Sequence, residues 1–260
     1  MFMAAPQTKT RRWPNYVLVF AALWLPVLSL LALLFTLGSN ASVEASAAME
    51  SNATVEVTRD QNFAFVPVGA AADPEKANTA FIIYPGGLVD PVAYAVYASA
   101  VAREGYLTFI TPMPLDLAVL NTNAAQLVID QNPQITTWVI GGHSLGGAMA
   151  ATFTAANPDV IRGLVLLASY PNGDLSGWDG QAVSIYGTMD GVASNEDVLA
   201  AAPLLPPDTE FVAIEGGNHA QFGDYGAQSG DNAATISPVE QMQQAVAATV
   251  SLLDRVNAGN

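Results

Sequence analysis

The sequence predicts an α/β fold, a mostly parallel sheet with helices on both faces. Three observations predict it. From about Ala53 onward, short apolar runs of strand length alternate with segments of helical pattern, the order that builds a parallel sheet through crossover helices. A G-x-S-x-G pentapeptide, Gly142-His143-Ser144-Leu145-Gly146, lies between the β-prone run Trp138-Val139-Ile140 and the small-residue stretch Gly147 to Ala156, giving a strand–turn–helix context. A second glycine turn, Pro85-Gly86-Gly87, directly follows the apolar run Ala80 to Tyr84.

Taken in order, Val55 to Thr58 and Phe63 to Val68 are short β-like segments that suit an opening hairpin. Ala80 to Tyr84 is a buried strand. Pro91 to Arg103 is a helix with proline in its first turn, where the missing N–H is no loss. Tyr106 to Ile110 is the next strand, ended by Thr111-Pro112-Met113-Pro114. Leu117 to Gln131 is a helix stopped by Asn132-Pro133. Thr137 to Gly141 leads into the pentapeptide. Gly163 to Ala168, Ala182 to Gly187 and Phe211 to Glu215 are the remaining strands, and Pro238 to Val256 is a closing helix. Only Ser169 to Gln181 separates two of these strands after the pentapeptide, too few residues for a helical lid, so the site is expected to be open or covered by loops alone.

The chain ahead of this domain reads differently. Val17 to Leu37 holds 21 residues and no charge, and Lys9, Arg11 and Arg12 precede it. At about 1.5 Å per residue a helix of this length matches the ~30 Å hydrocarbon layer. The expected organisation is a cytoplasmic segment over 1–16, a transmembrane anchor over 17–37, a flexible stalk over 38–54 and the α/β domain over 55–260 on the far side of the membrane. A cleaved signal peptide is the alternative, with Ala45-Ser46-Ala47 as the small-residue cleavage site. Every acidic residue lies after the apolar run, and the net charge is −15. Such a chain lacks the clustered Lys and Arg that nucleic-acid binding needs. With no cysteine, it has no disulfide, thiol nucleophile or cysteine metal site.

Chemistry concentrates at the pentapeptide. A serine at the tip of a sharp strand-to-helix turn is pushed toward strained dihedrals, and its neighbours two positions away must lack side chains for strand and helix to pass. The hydroxyl then stands near a helix N-terminus, where developing negative charge is favoured. A serine needs a base to take its proton. Of the two histidines, His143 sits inside the turn and should point elsewhere, which leaves His219 in Glu215-Gly216-Gly217-Asn218-His219, just after the last strand. Asp190, after the Val183–Tyr186 strand, is the expected orienting acid, with Asp197 and Asp174 in reserve. Oxyanion donors are expected from the Leu145 N–H and from Gly87 or Leu88 in the glycine turn. Neither a cofactor nor a metal is called for. Asp224 and Asp231, in the long polar stretch Gly223 to Ser237, suit a loop that braces His219 better than a cation site. Tyr170, Trp178, Phe222 and Tyr225 suggest an apolar or aromatic acyl group, although such residues are usually core.

Serine, acid and base in this order resemble the α/β-hydrolase superfamily from about Val55 to Val256. Gly142 to Gly147 looks like the nucleophile elbow of lipases and esterases, and Pro85-Gly86-Gly87 like the oxyanion loop. The segment Gly217-Asn218-His219-Ala220-Gln221-Phe222-Gly223-Asp224-Tyr225-Gly226, continued by Gln228-Ser229-Gly230-Asp231, resembles a lidless dienelactone-hydrolase-like subgroup. The chain departs from dienelactone hydrolases proper in carrying serine where they carry cysteine. The resemblance implies an α/β-hydrolase fold and a serine esterase acting on a small-molecule ester through an acyl-enzyme. Acyl transfer or peptide cleavage would use the same triad, and a non-catalytic exported binding module on this scaffold is the contrasting class.

Overall fold

A computed structural model describes residues 38–259. The expected cytoplasmic segment and anchor, residues 1–37, lie outside the described residues, among which no helix is long and apolar enough to cross a membrane.

Eight strands form one sheet: β1 (Val55–Arg59), β2 (Phe63–Pro67), β3 (Thr79–Tyr84), β4 (Leu107–Ile110), β5 (Thr137–His143), β6 (Ile161–Leu167), β7 (Gln181–Gly187) and β8 (Glu210–Ile214). Their spatial order is β1-β2-β4-β3-β5-β6-β7-β8. The first two strands form the expected hairpin and pair antiparallel; all pairings from β4 through β8 are parallel. From β3 the chain steps one way to β4 and later, from β5, the other way to β8. The strand order therefore reverses between β3 and β5, the place where open α/β sheets form a crevice beyond their carboxyl ends.

The helices are α1 (Val43–Ala48), α2 (Ala95–Arg103), α3 (Ala124–Gln131), α4 (Leu145–Ala156), α5 (Asn195–Ala200) and α6 (Pro238–Ala258). Strand β3 is buried at every position, because both faces of the sheet are covered. Phe81 and Ile83 pack with Tyr97 and Val101 of α2 and with Leu252 and Leu253 of α6. Ala80, Ile82 and Tyr84 pack on the opposite face with Val128 of α3 and with Met149 and Phe153 of α4. Helix α6 opens with a capping box, in which Ser237 and Glu240 satisfy each other's backbone N–H groups, with Pro238 in its first turn.

Four departures from the sequence reading have physical causes. Of the stretch 38–54, expected to be a flexible stalk, residues 39–54 are built into the domain. Ser39 N–H donates to Leu88 O at 2.8 Å, Asp90 N–H to Ser39 O at 2.9 Å, and Ser42 N–H to Asp224 O at 2.8 Å. Helix α1 is capped by the Ser42 side chain and buries Ala45, and Met49 beyond its end is also buried. The helix expected over Leu117 to Gln131 is shorter: Ala118–Leu120 is a single 3₁₀ turn and the α-helix begins only at Ala124, after Asn121-Thr122-Asn123, whose residue types favour turns. Helix α4 starts at Leu145, two residues before the expected Gly147. Helix α5, unforeseen, is capped by Ser194.

Candidate active site

Ser144 joins β5 to α4 at φ 52°, ψ −123°, a strained conformation for a residue with a side chain. The turn is fixed from both sides: Ser144 N–H donates to Leu167 O at 3.0 Å, and Ser169 Oγ–H donates to Ser144 O at 2.7 Å. The flanking glycines are required by contact. A Cβ on Gly142 would lie 2.6 Å from Gly146 C and from Tyr84 O, and one on Gly146 would strike the carbonyl oxygens of Tyr84 and Pro85. Although Ser144 stands at the N-cap position of α4, its hydroxyl does not cap the helix and makes no hydrogen bond among the described residues. It is therefore free for other chemistry at the N-terminal end of a 12-residue helix.

His219 and Asp190 come together as expected. His219 Nδ1 lies 2.8 Å from Asp190 Oδ2, and both side chains are removed from solvent. Asp190 Oδ1 accepts from Val192 N–H and Ala193 N–H, both at 2.8 Å, so the turn role and the orienting role are met by one carboxylate. Acceptance on Oδ2 places the imidazole proton on Nδ1 and leaves Nε2 to act as a base. Nε2 is buried and unpartnered, so the hydrogen bond to Ser144 is not made here. Such bonds are often long or open until substrate tightens the site.

The glycine turn after β3 supplies a single free donor. Leu88 N–H, one of the two expected alternatives, is spent on Asp116 O at 2.7 Å, and Gly86 N–H donates to Tyr94 Oη at 2.9 Å. Gly87 N–H has no acceptor among the described residues, and neither does Leu145 N–H at the first turn of α4. The two residues are adjacent: a Cβ on Gly87 would lie 3.1 Å from Leu145 Cδ2. Leu88 N–H is thus committed to Asp116, while the Gly87 and Leu145 N–H groups stand without an acceptor among the described residues.

Asp231 braces the loops that carry Asp190 and His219. Its Oδ1 accepts from Gly191 N–H at 3.0 Å and His219 N–H at 3.3 Å, and its Oδ2 from Ala220 N–H at 2.9 Å. Asp224 contributes through its backbone, donating to Ala93 O and accepting from Ser42. The reserve acids stand elsewhere: exposed Asp197 caps α5 with Ser194, and exposed Asp174 accepts from Ser176 N–H, its carboxyl held below the ordinary value by the Ser176 hydroxyl first and that N–H second. Trp178 is core, Phe222 and Tyr225 pack against the His143 ring, and Tyr170 alone of the four aromatics is exposed. Among the described residues no cluster of His, Asp and Glu could hold a metal ion.

Sequence reasoning set His143 aside, yet its ring lies 4.5 Å from that of His219 and 2.8 Å, through Nδ1, from Tyr94 Oη. Burial first, then the neighbouring His219, holds its pKa well below the ordinary histidine value. Nothing local in the sequence points to Tyr94 or Asp231 as partners; the one available signal for His143 is that a chain with two histidines places both at this edge.

Fold and site together define an α/β scaffold with a strained serine on a strand-to-helix turn, a buried His–Asp pair and two free backbone amides at one sheet edge. The chain belongs to the alpha/beta hydrolase family, whose model matches residues 80–243. Among solved structures it is similar to Est1E from Butyrivibrio proteoclasticus, with TM-score 0.54, 13% identity and coverage of 77% of this chain and 99% of that one. It is likewise similar to Est1E with ferulic acid bound, with TM-score 0.55, 13% identity and coverage of 77% and 96%. At this identity the likeness speaks for the fold. No curated protein matches the chain.

Proposed function

We propose that this protein is a serine hydrolase of carboxylic esters. The observation that carries the reading is the buried His219–Asp190 pair beside an elbow whose strained serine has an uncommitted hydroxyl. Ser144 Oγ attacks the ester carbonyl carbon while its proton passes to His219 Nε2. Asp190 stabilises the resulting imidazolium through Nδ1–H, and the amides of Gly87 and Leu145 receive the oxyanion. Collapse breaks the ester C–O bond, and Nε2–H protonates the departing alcohol. Water, deprotonated by the same nitrogen, then attacks the acyl-enzyme and releases the acid with Ser144 restored.

The expected substrate is a small ester with an apolar or aromatic acyl group. Residues 169–180 contain no helix that could close over the site. Leu115 and Leu120 in the loops after β4, and Tyr170 after β6, are exposed, and Leu117 approaches Gly87. Ferulate esters belong in the test panel, since one structural neighbour holds ferulic acid. Residues 17–37 are proposed to anchor the chain in a membrane with the domain opposite Lys9, Arg11 and Arg12, a reading supported by the uncharged run and the basic residues before it.

Labelling with a fluorophosphonate probe and hydrolysis of nitrophenyl esters of graded chain length test the activity. Wild type should label and turn over, and Ser144→Ala should do neither. Equal labelling of the two proteins, or no labelling of wild type, refutes the reading. Carbonate extraction of membranes carrying the full chain tests the anchor: release into the soluble fraction refutes it.

A further inference from the structure

Behind the base lies a second buried histidine that the proposed reaction does not use. His143 is 1% exposed and its ring is enclosed by His219, Tyr94, Phe222 and Tyr225. Its Nδ1 meets Tyr94 Oη at 2.8 Å, and the same oxygen accepts the Gly86 N–H at 2.9 Å. Gly86 is the residue before the free Gly87 amide. A Cβ on Gly86 would lie 2.8 Å from both His143 Nδ1 and Tyr94 Oη, so the first glycine of the turn is demanded by this pair of side chains.

The proton positions follow from counting. Tyr94 carries one hydroxyl proton, and burial, before the lesser effect of Tyr225, holds its pKa far above the ordinary tyrosine value, so it stays protonated. One of its two polar neighbours, Gly86 N–H, can only donate. The hydroxyl proton therefore goes to His143 Nδ1, which must be unprotonated. A neutral ring then keeps its proton on Nε2. That atom is buried and lacks a hydrogen-bond partner; the His219 main chain exerts a weak pull that favours protonation, but the contact falls short of a hydrogen bond.

We propose that Tyr94 and His143 form a positioning unit that ties the oxyanion loop to the general base, with the His143 proton on Nε2. The unit rests on the proposed roles of Ser144 and His219 and adds to them. Gly86 N–H, held by Tyr94, fixes the Pro85–Gly86 peptide at one end of this glycine, and Gly86 O, which accepts from Val89 N–H at 3.3 Å, holds the following peptide that carries the Gly87 N–H. The His143 ring, held by the same hydroxyl, packs against the His219 ring and resists its rotation away from Ser144. The two halves of the site, donors for the oxyanion and base for the nucleophile, are thereby set by one hydroxyl group. A neutral His143 also spares the imidazolium of His219 a second cation 4.5 Å away.

The full chain labelled with ¹⁵N-histidine gives a test independent of catalysis. It contains only two histidines, and His143→Asn assigns the spectrum. His143 should show a proton on Nε2, a hydrogen-bonded acceptor at Nδ1, and no titration between about pH 5 and 8. A proton on Nδ1, or titration near the ordinary histidine value, overturns the proposal. Kinetics give the second readout. Tyr94→Phe, which keeps the ring volume, should lower kcat about 10- to 100-fold and leave KM within about twofold, since an oxyanion donor is misdirected and ground-state binding is spared. His143→Asn, whose Oδ1 can accept from Tyr94, should retain more activity than His143→Ala. The losses in Tyr94→Phe and His143→Ala should fall short of additive in the double variant. Wild-type kcat in Tyr94→Phe, or full additivity, overturns the proposal. If Tyr94→Phe does not fold, the His143 tautomer and the Asn-against-Ala comparison decide. Failure of wild type to react with a fluorophosphonate would instead bring down the hydrolase reading, leaving the tautomer measurement to judge the geometry by itself.

Discussion

Replacing Asp231 by alanine removes one carboxylate from three backbone N–H groups besides that of the adjacent Asn232. Two belong to the base loop, His219 and Ala220, and one to Gly191, the residue after the acid, at 3.3, 2.9 and 3.0 Å. Each such hydrogen bond to a charged acceptor contributes about 1.5–3 kcal/mol net when buried. Asp231 is half-buried, so water replaces part of the loss. A total near 3 kcal/mol is expected, which lowers Tm by roughly 6–12 °C for a domain of this size. Activity should suffer beyond that, because Asp231 is what joins the loops carrying the 2.8 Å His219–Asp190 contact. A misplacement of about 1 Å costs on the order of 10²-fold in rate. Hydrolysis of a short-chain nitrophenyl ester, well below the variant's Tm, isolates this effect from unfolding. Asp231→Asn keeps one acceptor oxygen and should fall between wild type and alanine. An alanine variant with wild-type kcat/KM and a Tm within about 2 °C of wild type would refute the brace.

Asp190→Asn keeps an oxygen for the Val192 and Ala193 amides but offers His219 Nδ1 an amide in place of a carboxylate. Folding should be little changed while kcat falls roughly 10³–10⁴-fold, and steady-state kinetics showing a loss below tenfold would sink the orienting role. A second expectation concerns pH. Folded His143 binds its proton below the ordinary value near 6.5, so below that pH the unfolded chain takes up a proton that the native state refuses. Its contribution therefore lowers stability as pH falls from about 6.5 toward the depressed native pKa, by at most about 1.4 kcal/mol per pH unit, and vanishes above about 7.5. Denaturant unfolding of wild type and His143→Asn across this range should give a flatter profile for the variant; parallel profiles contradict a neutral buried ring.

The parts of the fold written in apolar patterning were legible. Each buried strand from β3 to β8 is a short run of branched or aromatic residues between turn residues, and the glycines around Ser144 announce a crossing that only they can fill. The gathering of Ser144, Asp190 and His219 at one edge was legible because each follows its own strand, and parallel strands deliver their carboxyl ends to one edge. What escaped depends on contacts distant along the chain. The Tyr94–His143 pair spans 49 residues, and the Asp231 brace reaches back 40 residues to Gly191. The choice between Gly87 and Leu88 turned on Asp116, a loop residue at φ 54° that no local pattern assigns to the site. Helix α1 was missed for a different reason. It is short, rich in alanine and serine, and buries only Ala45 and the following Met49, too few positions to give a helical hydrophobic stripe.

That helix has a consequence for maturation. The small residues Ala45-Ser46-Ala47 offer a peptidase a plausible scissile site on composition, but proteolysis needs the chain drawn out in an enzyme cleft, and here the first of them is wholly enclosed within a capped helical turn. Scission after Ala47 would discard Ser39 and Ser42 with the leader, releasing the carbonyl of Leu88 and the amide of Asp90 beside the glycine turn, and the carbonyl of Asp224 in the base loop. A mature form trimmed at that point would begin life with both rims of its cleft unfastened.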